Sequence, residues 1–446
     1  MKKRLSLTAL LAVALLFSGC QTDEPLAPTA NQELRQLLAD LGGKEQFLLP
    51  DSDDYSAIPQ DPNNPLYEQK VRLGRLLFHE TGLGATPKNA AHVNQYSCAS
   101  CHFAGAGFQA GRFQGIGEGG TGFGFNGERR SVAPAALLEE LDVQPIRTPA
   151  ALNVAYQEVM LWNGQFGATG INAGTEDRWT AGTPIANNWR GFQGVETQAL
   201  AGLGVHRLMV NADIVDSLGY RPLFDAAFPM LPESERYEVL PAALAIAAYE
   251  RTLLANEAPF QLWLRGNPNA MTEPELRGAM IFFGKGGCNS CHTGPALNSM
   301  SFHALGMSDL VDCPEPTFGT SRDNSANLGR GGFTGIPADN YRFKTPQLYS
   351  LARSPFYGHG ASFRTLREVV EYKNFAVAQN AYVPATQLSA TFQPKGLTQE
   401  EIDDLVTFLS SGLNDNNLRR YEPATLPSGL CFPNNDDDSR ADIGCN

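Results

Sequence analysis

The stretch Phe282-Phe283-Gly284-Lys285-Gly286-Gly287-Cys288-Asn289-Ser290-Cys291-His292-Thr293-Gly294-Pro295 decides the reading of this chain. At its centre stands C-x-x-C-H, the attachment pattern of a c-type haem: two thiols bond the vinyl edges of the porphyrin and the adjacent His ligates the iron. A second copy, Cys98-Ala99-Ser100-Cys101-His102, lies 190 residues upstream. Eight Cys and seven His in 446 residues make one chance occurrence rare and two rarer still. A four-thiolate zinc site would use both Cys pairs but leaves the His after each pair unexplained. Two haems, held by Cys98, Cys101, Cys288 and Cys291 with His102 and His292 as axial ligands, are therefore expected.

Working outward, Thr272-Glu273-Pro274-Glu275 reads as a capping box that opens a helix running to Phe283 and stopping at Gly284. A second box, Thr398-Gln399-Glu400-Glu401, opens a helix with Ile402, Leu405, Val406 and Leu409 on one face. Ala242–Leu254 reads as a buried helix, and Val71 to Phe78 as a helix leading toward the first motif. The Gly-rich run from Gly105 to Gly127 cannot be a regular element and is long enough to wrap a cofactor. Strand signals are sparse. The expected fold is mainly α, two haem domains with long loops and few short strands, and the repeated motif suggests duplication of a small haem domain.

Residues 1–19 carry the marks of an export signal: basic Lys2-Lys3-Arg4, then an apolar run too short to span a bilayer. Leu16-Phe17-Ser18-Gly19-Cys20 resembles a bacterial lipobox, which implies acylation of Cys20 and anchoring of an exported lipoprotein to a membrane. The formal charge of −13 becomes −16 without Lys2, Lys3 and Arg4. That balance argues against nucleic acid and favours a basic partner. An oxidising compartment permits disulfides: Cys431 and Cys445 flank a short loop and are candidates to pair, with Cys313 as a competitor. The boundaries expected are a tether over 20–64 with one helix at Asn31–Leu41, haem domains over 65–255 and 256–420, and an acidic tail over 421–446.

A further set of segments resembles the bacterial di-haem cytochrome c peroxidase family, which includes MauG-like enzymes. Leu73-Gly74-Arg75-Leu76-Leu77-Phe78 is similar to the family's opening helix. Arg147-Thr148-Pro149-Ala150-Ala151-Leu152-Asn153 with Leu161-Trp162-Asn163-Gly164, then Glu196-Thr197-Gln198-Ala199-Leu200, follow in the family's order. Glu250-Arg251-Thr252-Leu253, Phe343-Lys344-Thr345-Pro346 and Leu366 to Asn374 complete it. The resemblance implies two cytochrome c-like domains facing each other, a peroxidatic first haem, an electron-entry second haem and Trp162 as a relay between them. It implies a reaction with hydrogen peroxide, re-reduction by a small cytochrome or cupredoxin, and a periplasmic or outer-membrane-anchored location in a Gram-negative cell. Alternatives are MauG-like oxidation of a partner protein's side chains and a non-enzymatic di-haem carrier.

Departures from the family pattern bear on chemistry. Glu118 stands where many relatives carry a distal His. The family's later catalytic Glu falls at Leu208, with His206 two residues away. His206 and then Glu118 are the candidate proton shuttles, with Gln198 carried over into the same catalytic set. The second haem's distal ligand is expected from Lys373, Tyr372 or Met307. The Asn ligand of the family's bridging calcium falls at Arg147. His79, His92, His303 and His359 are candidates for packing, capping or propionate contacts, with His359 near the second haem.

Overall fold

A computed structural model describes residues 29–134 and 136–445. The expected signal peptide and the lipobox around Cys20 lie outside the described residues. Seven helices of nine residues or more stand among the described residues: α1 (Ala30–Asp40), α2 (Glu68–His79), α3 (Gly194–Val205), α4 (Val239–Arg251), α5 (Glu273–Phe283), α6 (Leu366–Phe375) and α7 (Gln399–Thr407). Short turns of helix and long loops connect them. The strands are two antiparallel pairs, β1 (Gly120–Thr121) with β2 (Ser131–Val132) and β3 (Phe302–His303) with β4 (Phe343–Lys344). The first pair lies within and beside the glycine-rich stretch, expected to hold no regular element. The fold is mainly helical, as expected.

Local chemistry sets the helix ends. α1, α5, α6 and α7 each begin in a capping box, at Thr29/Gln32, Thr272/Glu275, Thr365/Glu368 and Thr398/Glu401. In each, a side chain accepts from or covers backbone N–H groups that have no partner in the helix.

The two halves repeat one packing device. α2 crosses α4, and α5 crosses α7. A Cβ on Gly74 of α2 would lie 1.8 Å from the Ala245 carbonyl oxygen, and one on Gly278 of α5 would lie 2.1 Å from that of Asp404. Only glycine permits either approach. In each crossing the first helix precedes one C-x-x-C-H motif and the second follows it, the arrangement expected of a duplicated haem unit.

Two expected boundaries are corrected. Residues 29–64 are packed, not a tether. Leu34, Leu38, Phe47, Leu49 and Ile58 are buried, α1 lies on α5, and the Trp263 indole donates to Asn31 Oδ1 at 2.6 Å. The acidic residues there serve as acceptors: Asp61 takes the Gln193 N–H at 2.6 Å. Residues 421–445 are likewise no free tail. Cys431 and Cys445 form a disulfide, leaving Cys313 unpaired. Inside that loop the Pro433 carbonyl accepts from Ser97 and Ser100, both at 3.1 Å, and Asp436 forms a buried ion pair with Arg130 at 3.2 Å. The segment thus packs on the first motif. One apolar core runs through both halves, from Leu34 to Leu426.

Candidate haem sites

Each motif folds into the same tight turn. The His102 N–H bonds the Cys98 carbonyl at 3.1 Å and the His292 N–H bonds that of Cys288 at 3.0 Å, so both thiols and the imidazole lie along one turn. His102 Nδ1 meets the Phe108 carbonyl at 3.2 Å. His292 Nδ1 meets the carbonyls of Leu297 and Pro346, both at 3.0 Å. A carbonyl only accepts, so Nδ1 carries the proton and Nε2 is left free to ligate iron. Phe108 and Leu297 both sit in the left-handed region, at φ 56° and 48°, a conformation these side chains adopt only under constraint. Burial pushes both rings down to about 4, so each is neutral near pH 7.

Beside the second motif is a cavity of about 310 Å³, lined by Phe282, Leu305, Val369, Val370, Leu405 and Leu409 together with Cys288, Cys291 and His292. Apolar walls, two thiols and a free imidazole nitrogen are the donor set and shape that a covalent haem requires. The residues present fit the group at the second motif, and the first motif presents the same donor set of two thiols and a free imidazole nitrogen.

Lys373 lines this cavity, and its charge acts on Cys288, Cys291 and His292. Burial brings its pKa down to about 8. Met307 also lines the cavity. Tyr372 does not: its hydroxyl donates to the Leu305 carbonyl and its ring packs against Phe363 and Phe392. As a candidate distal ligand Tyr372 is thus displaced, because one helical step turns it off the cavity face. His303 and His359 line the same cavity, and His359 is fixed by Asp309 at 3.0 Å.

Trp162 lines the cavity where the two halves meet. Its indole donates to the Arg147 carbonyl at 2.8 Å, its own carbonyl accepts from Lys344 at 2.8 Å, and its ring meets His359 edge-on at 6.4 Å. Arg147, where the resemblance implies a calcium ligand, presents a buried guanidinium to Gln109 and Ser354, each at 2.8 Å. A buried cation is a poor neighbour for a second one. Among the described residues no group of three or more His, Cys, Asp or Glu could hold a metal ion.

Around the first motif the structure gathers a charged cluster. His206 caps the C-terminal end of α3. A Cβ on Gly202 would lie 3.5 Å from Gln198 and 3.9 Å from His206, so these two side chains share one face of α3. The charge on His206 helps hold down the pKa of His102. Glu118 is buried. Its carboxylate accepts from the Asn89 N–H at 2.9 Å and from Arg207 Nε at 2.8 Å, with His92 at 3.6 Å. Arg207 adopts φ 55° in the turn that ends α3, where glycine is usual. Glu118 thus anchors that turn, with its carboxylate occupied. Asp142, which meets His206 at 2.8 Å, and Arg207 were not legible as site residues: nothing in the sequence links Asp142 to a helix end 64 positions on.

Two covalent attachment turns on a duplicated helical frame define a c-type di-haem protein. Residues 68–269 match the family model described as di-haem cytochrome c peroxidase. The chain is 28% identical over 392 residues to the methylamine utilization protein MauG of Methylorubrum extorquens, covering 86% of each. It is 26% identical over 347 residues to the cytochrome c551 peroxidase of Pseudomonas aeruginosa, covering 78% of this chain and 79% of that one. In fold it is similar to a MauG-like protein associated with microbial copper homeostasis, with a TM-score of 0.56 and 23% identity over 83% of this chain and 95% of the other. Over residues 68–269 the chain is thus similar to the di-haem cytochrome c peroxidase family, whose description implies two c-type haems, and the peroxidase names among its relatives are consistent with an oxidoreductase.

Proposed function

We propose that the protein reduces hydrogen peroxide to two waters, consuming two protons and two electrons drawn from a small external redox protein. The observation that carries this reading is the asymmetry of the two sites. Near His102 stands an imidazole held by a carboxylate, His206 with Asp142 at 2.8 Å. The His292 cavity has mostly apolar walls with Lys373, and its own imidazole–carboxylate pair, His359 with Asp309 at 3.0 Å, is buried and stacked on Phe343, whereas the His206 side chain keeps 37% of its surface accessible. Acid–base groups belong where an O–O bond is cleaved; apolar walls suit a centre that only passes electrons. Bound haem supplies the iron and the reducing equivalents. His206 takes a proton from the inner peroxide oxygen and returns it to the outer one, and Gln198 on the same helix face orients the bound peroxide. Trp162, pinned at its indole N–H, keeps a rigid aromatic path between the two sites.

A second reading, oxidation of a partner protein's side chain, is favoured by Glu118. With its carboxylate occupied by Arg207, Glu118 would supply no strong ligand in place of the distal His to a haem held by His102.

We further propose that the chain is exported and anchored through Cys20. The Cys431–Cys445 disulfide supports an oxidising compartment, and no described helix is long and apolar enough to cross a membrane.

Stopped-flow mixing of the ferric holoprotein with peroxide tests the reading. His206→Ala should slow the reaction by ~10²–10⁴-fold with an unchanged resting spectrum. Trp162→Phe should leave peroxide cleavage intact and uncouple it from the second haem. No reaction in the wild type would refute the proposal. Steady turnover with reduced cytochrome c, against modification of a co-purified protein, separates the two readings.

A further inference from the structure

His206 sits at the C-terminal end of α3, a position where a side chain is ordinarily loose. Here it is not. We propose that Asp142 is its positioning residue, orienting the ring and holding its proton on Nδ1 so that Nε2 alone is presented to the reacting site; this rests on the peroxide reading above.

Three features converge on Asp142. First, its backbone is clamped to the loop that follows the first motif: the Gly117 N–H bonds the Asp142 carbonyl at 2.9 Å and the Asp142 N–H bonds that of Glu118 at 3.0 Å. The carboxylate is therefore registered to the chain that carries Cys101 and His102. Second, Gly117 makes room for it. A Cβ at that position would lie 2.7 Å from Asp142 Oδ2, the oxygen that bonds His206. Third, the imidazole is the single side-chain hydrogen-bond partner of the Asp142 carboxylate among the described residues. A buried carboxylate serving only to tie up backbone would accept N–H groups, as Glu118 does from Asn89. Asp142 spends its one bond on an imidazole whose side chain keeps 37% of its surface accessible.

The electrostatics agree in sign. Partial loss of hydration disfavours the charged ring, yet the Asp142 charge and hydrogen bond outweigh it and the opposing Arg207, and the pKa of His206 is raised above 6.5. Burial also works against ionised Asp142, and His206, Arg207 and Lys88 outweigh it, so its pKa is lowered. Arg207 stands 3.9 Å from Asp142 but 2.8 Å from Glu118, which keeps the nearer carboxylate as its own partner. The remaining titratable neighbours are His92, beside Glu118, Tyr96, which faces Glu118, Arg207 and Asp142, and Cys101, which faces Asp142 and is a haem-attachment thiol; on the far side His102 is held neutral. Without the Asp142 charge, the lost hydration and Arg207 are left unopposed and the His206 pKa falls below 6.5. Opposite charges at this range typically contribute ~1–3 pH units.

The test reads His206 directly. Diethyl pyrocarbonate modifies only neutral imidazole, so the holoprotein is treated across pH and the fraction modified at His206 is followed by peptide mass spectrometry. In the wild type the midpoint should lie above 6.5. In Asp142→Asn it should move down by at least about one unit, and Gly117→Ala, which displaces the carboxylate, should move it the same way. In the peroxide reaction of Asp142→Asn, the rise of rate with pH should shift down by the same interval while its plateau falls, because a weaker base accepts the proton less readily. Equal midpoints in wild type and Asp142→Asn would overturn the proposal. A shifted midpoint with wild-type peroxide rates in both Asp142→Asn and His206→Ala would uphold the positioning and remove His206 from the peroxide reaction instead.

Discussion

Replacing Arg251 with Met should test what holds α3, and with it His206 and Gln198, on the scaffold. α3 packs along α4, and the two are joined by a fully buried pair in which Arg251 donates to both oxygens of Glu196, at 2.8 and 2.6 Å. The same guanidinium donates to Gln193 Oε1 at 3.0 Å and to the Pro59 carbonyl at 3.1 Å. Met fills a similar stem volume and makes none of these four bonds. Glu196 would keep a contact from Asn64 at 3.2 Å, far too little for a buried carboxylate. Removing one partner of such a pair costs ~3–5 kcal/mol. The deficit should also depend on pH. Glu250, on the same helix as Arg251, carries the dependence: burial and the Glu196 charge raise its pKa to about 8, and Arg251 opposes that rise. Without Arg251 the rise is larger, so the folded chain binds that proton more readily than the unfolded one, and stability falls as pH rises past the ordinary carboxylate value. Urea unfolding of the holoprotein at pH 5.5 and 8 should therefore show the larger loss at pH 8. Arg251→Met with Glu196→Leu should recover much of it, since no charge is then stranded. A deficit below about 1 kcal/mol, or a double variant no better than the single one, would refute the argument.

Gly74→Ala should force α2 and α4 apart, because its Cβ would lie 1.8 Å from the Ala245 oxygen; a stability loss of ~1–3 kcal/mol is expected, measured by thermal melting followed at the haem band. At Lys373, a pKa of about 8 leaves about a tenth of the amine neutral at pH 7, against roughly 0.03% for an ordinary Lys. The ferric spectrum of the second haem should therefore change with pH through that range, toward an amine-bound form as pH rises, and Lys373→Ala should abolish the change. Identical spectra in variant and wild type would rule Lys373 out as a ligand.

Much of this molecule is legible because it is local. C-x-x-C-H, the capping boxes at Thr272 and Thr398, and the helix ending at Gly284 each state their geometry within a few residues. The sequence offers Thr148-Pro149 and Thr345-Pro346 only as separate segments of a resemblance; that Pro346 stands beside His292 as Pro149 stands beside His102 is visible only in the fold. Residues 29–64 misled because Pro, Asp and Asn are loop-like in composition, while their function here is to accept hydrogen bonds between the buried Leu34, Leu38, Phe47 and Leu49. Lys373 and Tyr372 differ by one step of a helix, and periodicity alone separates faces too coarsely to choose between neighbours. Asp142 could not be read at all, because its partner is brought to it by the loop after the first motif and by the end of α3.

The docking of α1 has a consequence for reach. Were residues 20–64 a leash, an anchor at Cys20 would let the folded body roam ~150 Å from a bilayer, at about 3.4 Å per residue. With the chain already held at Thr29 by its capping box, nine residues remain, a radius of ~30 Å. α1 lies on α5, the helix that leads into Cys288, so under the proposed anchoring at Cys20 the end nearest the lipid would be the one that carries the second C-x-x-C-H motif. An electron donor would then have to work in the narrow layer between that end and the membrane surface, where a small carrier fits and a bulky one does not.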